Sequence, residues 1–190
     1  MRDGMQRALE DAARVLEEFR NDPATLEAMA ATVKVIVSAF KNRGRVFSCG
    51  NGGSLCDAMH FAEEFSGRFH LDREPYPAIA LSDPAHLTCV ANDYGFEHVF
   101  SRQIDALGHE GDVLLILSTS GNSPNIVKAA EAAKERGVIV VGCLGKGGGA
   151  VRSLCDIVLH APGEGSDRIQ ELHMLALHSI IEQVEKEMRA

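Results

Sequence analysis

Residues 45–66 read RVFSCGNGGSLCDAMHFAEEFS, a short apolar run followed by a glycine-rich loop and an amphipathic segment. The run Arg45–Cys49 is typical of a buried strand, and the apolar positions of Ser54–Ser66 recur at helical spacing. Glycines between the two segments allow a tight turn, and Ser54 stands where it would cap the helix. The stretch therefore predicts a strand, a loop at its carboxyl end and a helix.

The same alternation continues toward the C-terminus. Further strands are predicted at Ala78–Leu81, Val113–Leu117, Val138–Cys143 and Ile157–Leu159. Helices are predicted at Pro84–Asp93, Glu97–Leu107, Ser123–Arg136 and Asp167–Met188, with a short turn near Ala150–Leu154. The strand runs are apolar throughout, as in strands buried on both faces. The pattern predicts an α/β fold with a doubly wound, parallel, five-stranded sheet of flavodoxin-like type, flanked by helices.

Two amphipathic segments precede residue 44 and are separated by Asn21-Asp22-Pro23. Asp22 is placed to cap the second helix, and Pro23 to occupy its first turn. These features predict an N-terminal helical hairpin over residues 1–43. Because no linker-like stretch follows, residues 1–190 are expected to form a single domain.

Composition narrows the function classes. Apolar residues make up 45% and charged residues 24% of the 190 residues, as in ordinary globular proteins. The net charge of −8 disfavours nucleic-acid binding. No uninterrupted apolar run approaches the roughly 20 residues of a membrane span, and no signal core opens the chain, so a cytoplasmic location is expected. The five cysteines include no Cys-x-x-Cys pair and are interpreted as reduced, mostly buried thiols.

Two loops follow predicted strands directly, where doubly wound sheets bind their ligands. The first is Cys49–Ser54, and the second, Ser118–Pro124, offers four hydroxyls beside the amides of a helix start. Such donors suit a phosphate group even without a neighbouring cation. Either loop alone is explained equally well as a turn with ordinary serine capping, but the two together favour an anion site.

His60 and Glu64 are four residues apart, about 40° apart around a helix and one turn along it. A histidine nitrogen and a carboxylate oxygen so placed suit zinc or a similar divalent metal. Glu63, at a spacing of three, is an alternative ligand that spacing does not exclude. An ordinary surface His–Glu pair is the other interpretation.

Four motifs together are similar to those of the bacterial phosphoheptose isomerases, a branch of the sugar-isomerase (SIS) domain family. They are Gly50–Ser54, Ser118–Ser123, Asp57–Glu64 and Asp167–Glu171. The resemblance covers nearly the whole chain, hairpin and final helix included. It implies a SIS fold and the conversion of sedoheptulose 7-phosphate into D-glycero-D-manno-heptose 7-phosphate, the entry step to the heptoses of lipopolysaccharide and related surface glycans.

The resemblance also assigns roles to residues. It implies one Zn²⁺ per subunit, with Glu64 as catalytic base and His178 as catalytic acid. The implied metal ligands are His60, Glu64, Gln170 and His178. The implied contacts to the sugar are Asn51, Gly52, Gly53, Ser54, Asp93, Asp167 and Gln170, and those to the phosphate are Ser118, Thr119, Ser120 and Ser123. Gln170 and His178 are eight residues apart, about 12 Å along a helix, so their convergence would be stretched; His173 is a competing ligand.

The apolar faces of the two N-terminal helices predict a homo-oligomer, and the resemblance implies a tetramer. The expected partners are therefore a phosphorylated heptose and further copies of the chain, without nucleic acid or membrane. Two other function classes remain open. One is a noncatalytic SIS-domain protein that binds partners such as the replication initiator, and the other is a phosphosugar-sensing regulatory domain.

Overall fold

The computed structural model describes residues 1–70 and 72–189 and contains one parallel sheet in the order β2-β1-β3-β4-β5. The chain runs from β1 outward to β2 and then returns across β1 to β3, so the winding direction reverses between β1 and β3. The predicted doubly wound fold is confirmed. The strands are β1 (Val46–Gly50), β2 (Ala78–Ala80), β3 (Val113–Ser118), β4 (Ile139–Leu144) and β5 (Ile157–His160).

Seven α-helices surround this sheet in the described part of the chain. They are α1 (Arg2–Asn21), α2 (Pro23–Lys41), α3 (Gly53–Ser66), α4 (Pro84–Asp93), α5 (Ser101–Leu107), α6 (Pro124–Glu135) and α7 (Ser166–Glu187). Short 3₁₀ turns occupy Phe96–His98, Lys146–Gly148 and Ala150–Leu154.

Two hydrophobic cores lie on the two faces of the sheet. Val113, Leu115 and Leu117 of β3 join the core formed with α1, α2, α3 and α7. Leu114 and Ile116 point the other way, into the core formed with α4, α5 and α6. Because successive strand residues face opposite sides, a strand covered on both faces is apolar at every position. This double coverage explains the uninterrupted apolar runs of the sequence.

Some local predictions are wrong. The predicted helix Glu97–Leu107 is interrupted, because Phe96–His98 forms a 3₁₀ turn and α5 begins only at Ser101. The ring Nε2 of His86 lies 3.1 Å from the Val99 carbonyl oxygen, which therefore has a partner outside the helix. Ser54 does not cap α3, since Gly52 is the capping residue with φ +57° and no side-chain bond. Of the five free cysteines, only Cys49 and Cys143 are fully buried.

The predicted hairpin forms as expected. The Asp22 side chain accepts a hydrogen bond of 3.0 Å from the Ala24 amide, and Pro23 occupies the first turn of α2. By length and composition α2 could cross a membrane, since its mean hydropathy is 1.3. Its apolar residues are interrupted by polar ones, so it contains no long uninterrupted apolar run. A third of that stretch is buried, and α2 packs against α7 and β5. That residues 1–190 form one domain stays a prediction, supported by this packing.

A buried ion pair fixes α3 to α7. Arg73 Nε lies 2.7 Å from Glu185 Oε1, and both side chains are at least 94% buried. The same guanidinium donates to the carbonyls of Glu64 (2.7 Å) and Phe65 (2.9 Å) at the end of α3 and lies 4.3 Å from the Tyr76 ring centroid. Arg73 thus satisfies carbonyls that a helix C-terminus leaves free and binds them to the neighbouring helix.

Replacing Arg73 by Met should lower the free energy of unfolding by about 3–5 kcal/mol, because Glu185 would remain as an unpaired buried charge. Chemical denaturation monitored by circular dichroism measures the change. Arg20→Met is the matched control, since its pair with Glu17 is exposed and its loss should leave stability nearly unchanged. Equal stability of the two variants would contradict this account of the ion pair.

Candidate active site

Three side chains from α3 and α7 converge at the surface between the two helices. His60 Nε2 lies 3.3 Å from Glu64 Oε1, and His178 Nε2 lies 3.5 Å from the same oxygen. The two imidazole rings meet edge to face, with centroids 5.3 Å apart. His60 and Glu64 come together through their spacing on α3, whereas His178 is brought there by the packing of α7 against α3.

Glu64 occupies an unusual position for a carboxylate. It is only 6% exposed, and its Oε2 atom is buried without a hydrogen-bond partner among the described residues. Burial raises the pKa of this carboxyl, while the neighbouring His178 and His60 rings oppose the rise. A raised pKa means that the carboxylate binds a proton more strongly, as a general base requires.

The cluster fits a divalent cation. One ligand atom from each of His60, Glu64 and His178 lies within 4.8 Å of the other two. Two imidazole nitrogens and a carboxylate oxygen form a common set of protein ligands at catalytic metal sites that keep a position open for substrate. A bound cation would also give the orphaned Glu64 oxygen a partner. Of the competing ligands, Glu63 and His173 lie outside the cluster.

His173 is a buried residue that lies outside the cluster. It is fully buried on α7, and burial lowers its pKa to about 4, so it stays neutral at physiological pH. His178 is held differently, by the ring of Phe69, whose centroid lies 5.8 Å away at an interplanar angle of 17°. Phe69 carries no periodic signal in the sequence, because it lies in an irregular segment beyond α3.

A cavity of about 240 Å³ lies where β1 and β3 end, at the N-terminal ends of α3 and α7, the two helices that carry the cluster. Its lining residues are Asn51, Ser54, Leu117, Ser118, Thr119, Ser120, Ser123, Ser166 and Gln170. Seven of them were predicted to bind substrate. The structure thus brings together Cys49–Ser54, called here the sugar loop, Ser118–Pro124, called here the hydroxyl loop, and the start of α7. None of the nine carries a formal charge.

Three helix starts meet at this cavity. Ser54 lies in the first turn of α3, Ser123 is the capping residue of α6, and Ser166 is the first residue of α7. Helix N-termini present unpaired amides and a partial positive charge, which together favour an anion. The position between β1 and β3 is also where the winding of the sheet reverses, the usual ligand site in such folds. The cavity is therefore suited to a phosphate without a basic side chain.

Ser166 is a site residue that the sequence analysis missed. Its hydroxyl donates a 3.2 Å hydrogen bond to Thr119 Oγ1, which links the start of α7 to the hydroxyl loop. The signal available in the sequence was a serine at the predicted start of a helix, the same signal that identified Ser123.

Gln170 lies nearer the sugar loop than the cluster. Its Nε2 donates a 3.2 Å hydrogen bond to Ser54 Oγ, and a Cβ on Gly53 would lie 2.9 Å from that nitrogen. Gly53 therefore allows the amide to approach the helix start. A role of Gln170 as fourth metal ligand stays a prediction.

The remaining predicted contacts do not line the cavity. Asp93, at the exposed end of α4, accepts hydrogen bonds from Asn92 Nδ2 (2.7 Å) and Cys89 Sγ (3.6 Å). Asp167 is exposed in the first turn of α7, 3.3 Å from the Arg168 guanidinium. Gly52 and Gly53 are exposed within the loop Cys49–Ser54. Sugar contacts by these four residues stay predictions.

Comparison with known proteins agrees with the geometry. The SIS domain family model matches residues 9–145. The phosphoheptose isomerase of Serratia proteamaculans is 52% identical over 181 residues, which cover 95% of this chain and 94% of that protein. The phosphoheptose isomerase structure from Neisseria gonorrhoeae superposes with a TM-score of 0.92 at 35% identity, covering 97% of this chain and 98% of the other.

A second structure, a phosphoheptose isomerase from Francisella tularensis, has a TM-score of 0.93 at 37% identity and covers 97% of both chains. The similarity extends beyond the range of the family model and includes the N-terminal hairpin and most of α7. The chain therefore belongs to the SIS domain family and, within it, to the phosphoheptose isomerases.

Proposed function

We propose that this protein converts sedoheptulose 7-phosphate into D-glycero-D-manno-heptose 7-phosphate, an aldose–ketose isomerisation that supplies heptose for surface glycans. The observation that carries the proposal is that α3 and α7 bear both the His60–Glu64–His178 cluster and, at their N-terminal ends, an uncharged, hydroxyl-lined cavity. The cluster is suited to proton transfer, and the cavity is suited to a phosphate group. The relatives named phosphoheptose isomerase support the choice of a seven-carbon substrate.

The cavity accounts for substrate orientation. The hydroxyls of Ser118, Thr119, Ser120 and Ser123 and the amides of the helix starts would bind the phosphate. Asn51, Ser54 and Gln170 line the same cavity and would contact the sugar chain. Anchoring one end of a long, flexible substrate holds its carbonyl end in a single orientation beside the cluster.

Glu64 and His178 would carry the proton transfers. The Glu64 carboxylate removes a proton from C1 of the ketose, which gives an enediol, and returns it to C2 to form the aldose. His178 transfers protons between the two oxygens as one carbonyl is lost and the other forms. Its Nε2, 3.5 Å from Glu64 Oε1, places the acid beside the base. No atom is gained or lost.

We further propose one Zn²⁺ per subunit, held by His60, Glu64 and His178, with Gln170 as a fourth ligand. When bound, the ion would polarise the substrate carbonyl and stabilise negative charge on its oxygen. The buried, unpartnered Glu64 oxygen supports the presence of a cation.

A partner-binding SIS protein is the competing function, and the site disfavours it. Binding alone would not require a carboxylate buried between two imidazoles on the two helices that border the cavity. For the same reason a regulatory sugar sensor is less well supported. The five free cysteines are consistent with a cytoplasmic location.

The chain should assemble into a homo-oligomer, as a tetramer. α1 exposes Leu9 and Met5, and α2 exposes Leu26, each by more than half of its surface. A groove of about 670 Å³ between α2 and α7 includes Val33 and Val37 in its lining, beside charged residues such as Lys34 and Glu187. A second copy of the chain would cover these surfaces.

Light scattering coupled to size-exclusion chromatography should give the mass of a tetramer of 20.5 kDa chains. Leu9→Glu with Leu26→Glu should shift the protein to smaller species, because charges would replace the apolar contacts. Arg7→Glu, on the same helix, is the charge-changing control. A wild-type protein that is both monomeric and active would refute the assembly.

Purified, zinc-loaded protein should isomerise sedoheptulose 7-phosphate, with the product resolved chromatographically. Glu64→Gln and His178→Gln should each lower kcat by about 100- to 10,000-fold, as expected for loss of a general base or acid. Circular dichroism and metal content are measured on the same samples. A Glu64→Gln variant that keeps its metal and loses turnover would support the base role directly. Wild-type turnover in both folded variants would reject the mechanism, and absence of turnover in the wild type would reject the function.

Ser120→Ala and Thr119→Val should weaken substrate binding without unfolding the protein. A lost hydrogen bond to a charged phosphate corresponds to about 1.5–3 kcal/mol of binding free energy. Calorimetry in the inactive Glu64→Gln background measures the dissociation constant. Ser153→Ala, an exposed serine outside the cavity, is the control. Unchanged affinity in both variants would remove the hydroxyl loop from the phosphate site.

A further inference from the structure

A pair of asparagine side chains joins the loop that follows β1 to the first turn of α6. Asn51 Nδ2 donates to Asn125 Oδ1 at 3.0 Å, and Asn125 Nδ2 donates to Asn51 Oδ1 at 2.8 Å. Each carboxamide thus offers the other one donor and one acceptor. A side-chain amide carries its donor and its acceptor in one plane, so two facing carboxamides satisfy each other without any charge.

The two asparagines differ in exposure. Asn125 is only 2% exposed, in the first turn of α6, whereas Asn51 is partly exposed and lines the phosphate cavity. Asn125 is absent from the lining of that cavity. It lines instead a neighbouring cavity of about 530 Å³, which also includes Asn51 and Ser123. The pair therefore stands where the two cavities meet, with Asn51 on the substrate side and Asn125 behind it.

This arrangement restricts Asn51. One N–H and one lone-pair direction of its carboxamide are taken by Asn125, so the remaining N–H and lone pair are left for the cavity. A buried carboxamide without partners is costly, which keeps Asn125 bound to Asn51. The rotation of the Asn51 amide and the separation of the sugar loop from the start of α6 are fixed together.

We propose that Asn125 is a positioning residue for substrate binding, a role that rests on the proposed function of this site. Asn125 orients the carboxamide of Asn51 toward the sugar. It also holds the sugar loop against the start of α6, which follows the hydroxyl loop. Asn125 acts through Asn51 and has no contact with the substrate of its own.

A double-mutant cycle tests the role. Asn125→Leu keeps the branched shape of the side chain and removes both hydrogen bonds, and it should lower kcat/KM by about 5- to 30-fold, mainly through KM. Asn51→Ala should have an effect at least as large. Because Asn125 acts through Asn51, the double variant should be no worse than Asn51→Ala alone. Multiplied effects, or an unchanged KM in Asn125→Leu, would overturn the proposal.

Two controls keep the result interpretable. Asn125→Asp is isosteric and retains only the acceptor, so it should also raise KM. This variant replaces Asn125→Leu in the cycle if Asn125→Leu does not fold. Thr32→Val removes a buried side-chain hydrogen bond on α2, far from the loops, and should lower thermal stability without changing KM. The same cycle is measured by calorimetric binding of sedoheptulose 7-phosphate in the Glu64→Gln background. If the wild type binds sedoheptulose 7-phosphate without turnover, the proposed function is rejected, and the measured affinities still decide the role of Asn125. If the wild type does not bind this sugar phosphate, both proposals are rejected.

Discussion

The burial of one carboxylate between two helices is the constraint on which the site depends. Glu64 lies between α3 and α7, with imidazoles from both helices within 3.5 Å of Oε1, while Oε2 has no hydrogen-bond partner in the described part of the chain. An isolated buried carboxylate is unfavourable, so this position persists only where the surrounding fold holds the two helices together. The Arg73–Glu185 pair does so from the far side of the seam, since it binds the Glu64 carbonyl on α3 and a carboxylate on α7. Burial there raises the pKa of the Glu64 carboxyl and leaves its Oε2 without a hydrogen-bond partner among the described residues.

The reversal of winding between β1 and β3 supplies the second half of the site. It leaves a gap at the carboxyl edge of the sheet into which the starts of α3, α6 and α7 all point. A protein with a net charge of −8 would repel an anionic sugar at long range, yet these helix starts would favour a phosphate locally, and no lysine or arginine lines the cavity. The hydroxyl loop and the cluster share α7, whose first residue contacts Thr119 and whose middle carries His178. One helix would therefore set the distance between a phosphate bound in the cavity and the groups proposed to move protons.

The parts of this architecture that depend on local sequence could be predicted. Alternating apolar runs and amphipathic segments indicated the sheet and its helices, and the spacing of His60 and Glu64 indicated a shared ligand. The family resemblance extended this to His178, which spacing alone could not have joined to α3. The features that could not be predicted are contacts between residues that are far apart in the sequence. Phe69 beside His178, Asn125 behind Asn51 and Arg73 against Glu185 carry no periodic signal, because each is defined by a contact that exists only after folding. The interrupted helix before α5 has the same origin, since the Val99 carbonyl is paired with His86 from another helix.

Zinc-edge anomalous diffraction tests the central claim most directly, because it locates the ion without reference to activity. Crystals of the zinc-loaded protein would be measured on both sides of the absorption edge. The account predicts an anomalous peak bonded to His60 Nε2, His178 Nε2 and a Glu64 carboxylate oxygen, at roughly 2.0–2.2 Å from each. A peak bound elsewhere, or a cluster in which Glu64 bonds the two histidines directly with no zinc between them, would contradict it.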